Sequence, residues 1–210
     1  MSPTPTIRLA TREDVPEILA MIHELAAFEK ASDSVLATEA SLSLTLSFAP
    51  SPHRHHHENK HSTSETHAHN TKPPPDAPLQ ASAHGQPTQA AGYAKTFILT
   101  APEGGIAGMA LFFHSYSTWR AAPGIYLEDL YVRPAFRRRG YATLLLKELA
   151  NEVIRIGGAR LEWACLDWNT DALTFYRSLG AVTKDEWVGL RVDGDALKKL
   201  AEKSVDVKKE

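Results

Sequence analysis

The chain has 210 residues, 43% of them hydrophobic, so it can bury a sizeable core as one large domain or two small ones. Its formal net charge of -2 gives no bulk basicity, which speaks against a nucleic-acid partner. The single cysteine, Cys165, rules out an intramolecular disulfide, no apolar run approaches the ~18 residues that span a bilayer, and residues 1–10 lack a signal-peptide core, so a cytoplasmic protein with no membrane partner is expected.

Ile7-Arg8-Leu9 reads as a short strand. Thr11 and Asp14 form a T-x-x-D helix-start signal, and Val15, Ile18, Leu19, Ile22, Leu25 and Ala26 then recur at helical spacing. A second helix is expected over 38–48, carrying Leu42, Leu44, Leu46 and Phe48.

Residues 50–92 differ in kind. They are rich in Pro, Ser, Thr, Ala and His and hold almost no large apolar side chains. Such a segment cannot bury enough surface to offset its ordering entropy, so a disordered low-complexity insertion is expected. Eight of the ten histidines lie in it: His53, His55, His56, His57, His61, His67, His69 and His84. They offer only weak transition-metal coordination, with no cysteine and no core to fix ligand geometry, and no metal site is expected.

Order resumes at Tyr93. Residues 94–100 and 106–116 read as strands joined through Pro102-Glu103-Gly104-Gly105 as a hairpin. A strand over 125–132 follows, then a helix over 139–156 with Leu145, Leu149, Val153 and Ile156 on one face, closed by Gly157-Gly158. Next come a strand over 161–166 and a helix over 169–179, with Asn169 as N-cap and Gly180 just past its end. A last strand over 186–192 and a terminal helix over 193–203 complete the chain. The order is an α/β fold: a mixed, mostly antiparallel sheet with helices on its faces, one domain over 1–210 interrupted at 50–92.

The most informative stretch is 126–142, YLEDLYVRPAFRRRGYA. An apolar-aromatic strand carries two carboxylates, and a Pro-broken loop, three arginines and a glycine then lead into a helix. The first N–H groups of a helix have no intrahelical partner, and the helix dipole adds positive charge there. Arginines at that end oppose the dipole unless an anion is bound, and Gly140 lets a phosphate approach the backbone. Strand parity sets Glu128 with Tyr126, Leu130 and Val132, and Asp129 on the opposite face with Leu127 and Tyr131. On that parity Asp129 meets the same ligand as Glu128 only if the strand bulges. Read from the residues alone, Glu128 suits an ion pair with a nearby arginine as well as a ligand.

Arg137-x-x-Gly140-x-Ala142 matches the acetyl-CoA pyrophosphate loop of the GNAT N-acetyltransferases. With Tyr126-Leu127-Glu128-Asp129 before it, and Leu166-Asp167-Trp168-Asn169 and Phe175-Tyr176 after it, the chain resembles the diamine acetyltransferase family, which holds the spermidine/spermine and thialysine acetyltransferases. Phe28-Glu29-Lys30-Ala31-Ser32-Asp33 and Tyr116-Ser117-Thr118-Trp119 resemble the thialysine branch. The likeness covers 6–48 and 92–201.

The resemblance implies a GNAT fold and direct acetyl transfer from acetyl-CoA to the primary amine of a small lysine-like or diamine substrate. A lysine-like ammonium must first lose its proton, which at pH 7 costs ~4–5 kcal/mol. The family's two roles fall on Glu128, which assists that loss, and Tyr176, which protonates the leaving thiolate. Acetyl-CoA would be held by Arg137, Arg138, Arg139, Gly140, Tyr141 and Ala142, by the backbone of Leu130, Tyr131 and Val132, and by Asn169, Phe175 and Tyr176. Glu29, Trp119, Glu128 and Asp129 would receive the substrate. The polyamine enzyme has an acid two residues before this tryptophan, and Ser117 stands here, which favours a short amine. A homodimer follows from the resemblance alone. Two alternatives stay open: acetylation of protein lysines or N-termini, and a CoA-binding module without turnover.

Overall fold

The protein is described by a computed structural model over residues 4–51 and 92–203. Apart from its ends, the expected insertion and all eight of its histidines lie outside the described residues. The chain divides into two compact units, Met1–Ala164 and Cys165–Glu210.

The first unit is built on a five-stranded sheet: β1 (Thr6–Leu9), β2 (Lys95–Thr100), β3 (Ile106–Ser117), β4 (Ala122–Val132) and β5 (Leu161–Trp163), side by side in that order. The first three pairings are antiparallel, and β4–β5 is parallel. Two helices, α1 (Val15–Phe28) and α2 (Glu39–Thr45), precede β2, and α3 (Tyr141–Arg155) joins β4 to β5.

The start of α1 is set by Asp14. Its carboxylate accepts from the Thr11 N–H at 2.7 Å and takes both guanidinium nitrogens of Arg8 at 2.6 and 2.7 Å. The apolar stripe of α1 then packs on one sheet face, where Val15, Ile18 and Met21 join Leu42, Leu46, Ile98, Met109, Leu111 and Tyr131 in a buried cluster. Because side chains alternate along a strand, Phe97, Leu99, Phe112, Ile125 and Leu127 turn to the other face. There the Phe97 and Phe112 rings lie 4.9 Å apart, and α3 packs across β2 to β5 with Leu145 and Leu149 fully buried.

Three expected elements are corrected. The helix expected over 38–48 ends at Thr45, because Leu46 turns extended and bridges to Ala94, with the Ser47 N–H donating to the Ala94 carbonyl at 2.8 Å. The strand expected over 161–166 stops at Trp163, where its partner β4 reaches an irregularity described below. The segment 186–192 forms no strand. Its unit contains only two helices among the described residues, α4 (Thr170–Ser178) and α5 (Gly194–Glu202), so that unit offers it no ladder partner. Trp187, Val188 and Leu190 stay exposed there.

Candidate active site

The carboxylates of β4 are arranged by a register jump. Leu111 pairs with Asp129, but the next residue, Phe112, pairs with Leu127, so Glu128 is the extra residue of a bulge. The bulge reverses the expected parity beyond it. Asp129 shares the α1 face with Tyr126 and Tyr131, while Leu130 and Val132 share the other face with Leu127. Glu128 itself is exposed, and Asp129 is half-buried.

Helix α1 brings a third carboxylate. Its end is closed by the Lys30 N–H on the Ala27 carbonyl (3.2 Å) and the Ala31 N–H on the Ala26 carbonyl (2.8 Å), with Lys30 left-handed at φ 60. That closure makes Glu29 the C-cap. The helix is pinned to the end of β4 by Arg133, which reaches Glu24 at 3.1 Å and Glu17 at 2.8 Å. Glu29 consequently lies within electrostatic reach of Asp129. Burial first, then the negative charges of Glu128 and Glu29, push Asp129 up from 3.8 to about 6. The structure therefore brings Glu29, Glu128 and Asp129 into one acidic cluster. Among the described residues, no group of three or more His, Cys, Asp or Glu is arranged to hold a metal ion.

Beyond the bulge, one edge of β4 opens. The β4–β5 pairing ends at Leu127 and Trp163. The Arg133 N–H donates to the Ala107 carbonyl at 2.9 Å, and antiparallel hydrogen bonding alternates along a strand. The backbone groups of Leu130 and Val132 hence turn away from β3, toward the side that β5 has left. One of them, the Val132 carbonyl, accepts from Arg137 Nε at 2.9 Å.

The strand leads into the arginine loop. A single 3-10 turn, Pro134–Phe136, reverses the chain. Arg138 and Gly140 both follow in the left-handed region, at φ 64 and φ 77. Gly140 is the N-cap of α3 and has no side chain with which to cap it, so the helix begins at Tyr141 and leaves out Arg139. The Leu144 N–H makes the first helical bond, to the Gly140 carbonyl at 3.1 Å. The N–H groups of Tyr141, Ala142 and Thr143 therefore have no helical carbonyl to donate to. Alternating left-handed residues before an uncapped helix gather N–H groups into a concavity suited to a phosphate.

The three arginines do different things. Arg137 lies over the rings of Phe28 (5.6 Å) and Tyr131 (5.7 Å). Arg139 pairs with Glu103 of the β2–β3 turn, donates to the Ala135 carbonyl at 3.4 Å, and covers the Phe136 ring at 5.4 Å. Arg138 is exposed. Sequence reasoning missed Glu103, which is 36 residues from its partner and carries no local pattern that announces it.

One expected contributor of the first unit, Trp119, stands apart from the acidic cluster. Trp119 sits in the β3–β4 turn at 91% exposure, on the order of 20 Å of strand from the bulge. Ser117 beside it is buried, and its Oγ accepts from the Arg120 N–H at 3.3 Å. In the second unit, Asn169 caps α4 through Oδ1, which accepts from the Ala172 N–H at 3.2 Å. Phe175 and Tyr176 place their rings 5.4 Å apart on that helix. The helix closes with the Gly180 N–H on the Arg177 carbonyl and the Ala181 N–H on the Tyr176 carbonyl, with Gly180 left-handed at φ 90.

Comparison with known proteins bears on these arrangements. A family model described as the acetyltransferase (GNAT) family matches residues 56–181. The chain is 34% identical to an L-ornithine N5-acetyltransferase of Arabidopsis thaliana, over 92% of this chain and 86% of that protein. It is 36% identical to a thialysine N-epsilon-acetyltransferase of Caenorhabditis elegans, over 91% of this chain and 94% of that protein. A solved structure of an integron cassette protein from the mobile metagenome of V. cholerae superposes with a TM-score of 0.62 at 21% identity, covering 97% of this chain and 99% of that one. That last likeness is one of fold alone.

Proposed function

The chain belongs to the acetyltransferase (GNAT) family, and from that premise we propose that it moves acetyl from acetyl-CoA to the primary amine of a small, doubly charged amino acid or diamine, of the ornithine and lysine-analogue kind on which its named relatives act. The observation that carries this reading is the layout of one continuous stretch. Along β4 and into α3 run an acidic cluster, an open backbone edge and an uncapped helix N-terminus behind arginines.

That order fits the two reactants. Glu29, Glu128 and Asp129 receive the cationic substrate, and Glu128, to which the family resemblance gives the role, or its neighbour Asp129 takes the amine's proton. Leu130 and Val132 offer backbone groups to the pantetheine arm by strand-like pairing, beside Tyr131. The loop Arg137, Arg138, Arg139, Gly140, Tyr141 and Ala142 seats the pyrophosphate. Asn169, Phe175 and Tyr176 are assigned by the family resemblance to the cofactor, with the Tyr176 hydroxyl protonating the departing thiolate. Trp119 is assigned to the substrate, and its exposure on the hairpin tip accords with a contact made across a homodimer.

The same reading carries one acetyltransferase domain over 1–210. It also carries a homodimer in the cytoplasm, with no metal, nucleic-acid or membrane partner. Among the described residues no helix is long and apolar enough to cross a membrane.

An acetyl-CoA consumption assay tests the proposal, comparing ornithine, thialysine, lysine, putrescine, spermidine and a histone-tail peptide. Preference for ornithine, thialysine or a short diamine supports it. Spermidine preference removes Ser117 as a determinant of length. Turnover of the peptide alone, or of nothing, overturns it.

A further inference from the structure

Within that reading, on which this inference rests, we propose that Asp129 rather than Glu128 is the proton acceptor for the attacking amine, with Glu128 and Glu29 holding the substrate's positive charge around it. The bulge is the reason. Without it, Asp129 would turn to the face of Leu127 and α3, away from the carboxylates it now joins. With it, Asp129 stands opposite Leu111 on the α1 face, while Glu128 is the residue pushed out of the ladder and left exposed. An exposed, pivoting carboxylate suits the capture of a cation. A half-buried one fixed in the ladder suits proton transfer, because it is held in place and partly stripped of water.

The surroundings of Asp129 support the assignment. From its own strand it meets Glu128, with Tyr126 and Tyr131 on the same face. From α1 it meets Glu29. The basic groups near this face are engaged elsewhere: Arg137 with the Val132 carbonyl and two rings, and Arg133 with Glu17 and Glu24. On the same sheet face, Tyr131 packs into an apolar cluster with Leu42 and Leu46. A carboxyl titrating at about 6 holds a proton roughly a hundredfold more tightly than one at 3.8, yet is still ionised at pH 7. It is a stronger base than an ordinary aspartate without being spent before the reaction.

The step balances as follows. The substrate ammonium gives one proton to the Asp129 carboxylate, leaving a neutral amine. The amine lone pair forms the N–C bond to the thioester carbonyl carbon, and the C–S bond breaks with its electron pair on sulfur. The nitrogen's surplus proton leaves to water and the thiolate takes one up. The products are the amide and the free thiol, and Asp129 returns its proton to solvent.

The test pairs kinetics with a readout independent of turnover. Profiles of kcat and kcat/KM from pH 5 to 9 are recorded for the wild type, Asp129→Asn, Glu128→Gln and Glu29→Gln, with carbon-13 NMR of the aspartate carboxyls in the free proteins. The wild type is expected to show an acid limb near pH 6 that coincides with one aspartate resonance. Asp129→Asn is expected to lose at least ~100-fold in kcat and the limb itself. The two glutamine variants keep kcat within ~10-fold, raise KM, and move both limb and resonance to lower pH, since each removes a charge that raises Asp129. These two variants test the idea even if Asp129→Asn folds poorly. Loss of the limb in Glu128→Gln, with the limb retained in Asp129→Asn, overturns the assignment and leaves the acetyltransferase reading intact. No turnover of any amine by the wild type overturns both, whatever the resonance shows.

Discussion

At the scale of single residues, Asp129 sets the chain's response to acid. Its carboxyl binds a proton more tightly folded than unfolded, so between pH 3.8 and about 6 the native state holds the extra proton. Stability contributed by this group is present at low pH and is lost as pH rises through 6. Asp129→Asn is therefore expected to raise unfolding free energy at pH 7.5, by on the order of 2 kcal/mol, with the gain gone by pH 4. Urea unfolding at the two pH values measures it, and an equal gain at both would refute the linkage. Gly140 is the complementary case. Its φ of 77 favours glycine, while an added Cβ would meet nothing within 4 Å. Gly140→Ala should therefore cost ~1–2 kcal/mol of stability from backbone conformation alone, with CoA binding weakened as the N–H groups shift. Chemical unfolding and a CoA titration check the two effects.

At the scale of elements, most of the first unit was legible. The stripe of Val15, Ile18, Leu19 and Ile22 announced α1, Leu145 and Leu149 announced α3, and Gly180 announced the close of α4, because each is a local pattern. The bulge at Glu128 was not legible, because it is a mismatch of register between two strands and neither strand carries it alone. The same holds for Glu103, whose pairing with Arg139 depends on a hairpin turn meeting a distant loop. That contact predicts an experiment. Glu103 supplies a negative charge to a loop that otherwise opposes the α3 dipole, so it competes for Arg139 with an incoming phosphate. Glu103→Gln is expected to tighten CoA binding roughly threefold at low ionic strength and to leave it unchanged near 0.5 M salt, as exposed pairs are screened. Calorimetric titration at both salt concentrations decides it, and weaker binding would make Glu103 a support for the loop instead. The strand expected over 186–192 failed for a related reason: a strand needs a ladder partner, and its own unit holds only helices among the described residues.

At the scale of the whole molecule, the bridge from Leu46 to Ala94 has a consequence for the segment between them. The Tyr93 N–H donates to the Thr45 carbonyl at 2.7 Å, and a Cβ on Gly92 would lie 2.6 Å from the backbone of Leu46 and Ser47. The bridge is parallel, so the outgoing chain runs on past it, with the Ala49 N–H on the Ala10 carbonyl and Ser51 Oγ donating to Glu13, while the returning chain is held at Gly92 and Tyr93. Replacing 52–91 with a few Gly-Ser residues is expected to shift the melting temperature by less than ~3 °C and to leave kcat within about twofold, since loop-closure entropy changes only slowly with length. Differential scanning calorimetry and the acetyl-CoA assay read the two quantities. Two flanks that are each hydrogen-bonded into the fold also make the interval between Ser51 and Gly92 a natural graft point. An epitope or a small independently folding reporter inserted there would hang from two separately anchored flanks, and the sheet behind them would not be asked to open.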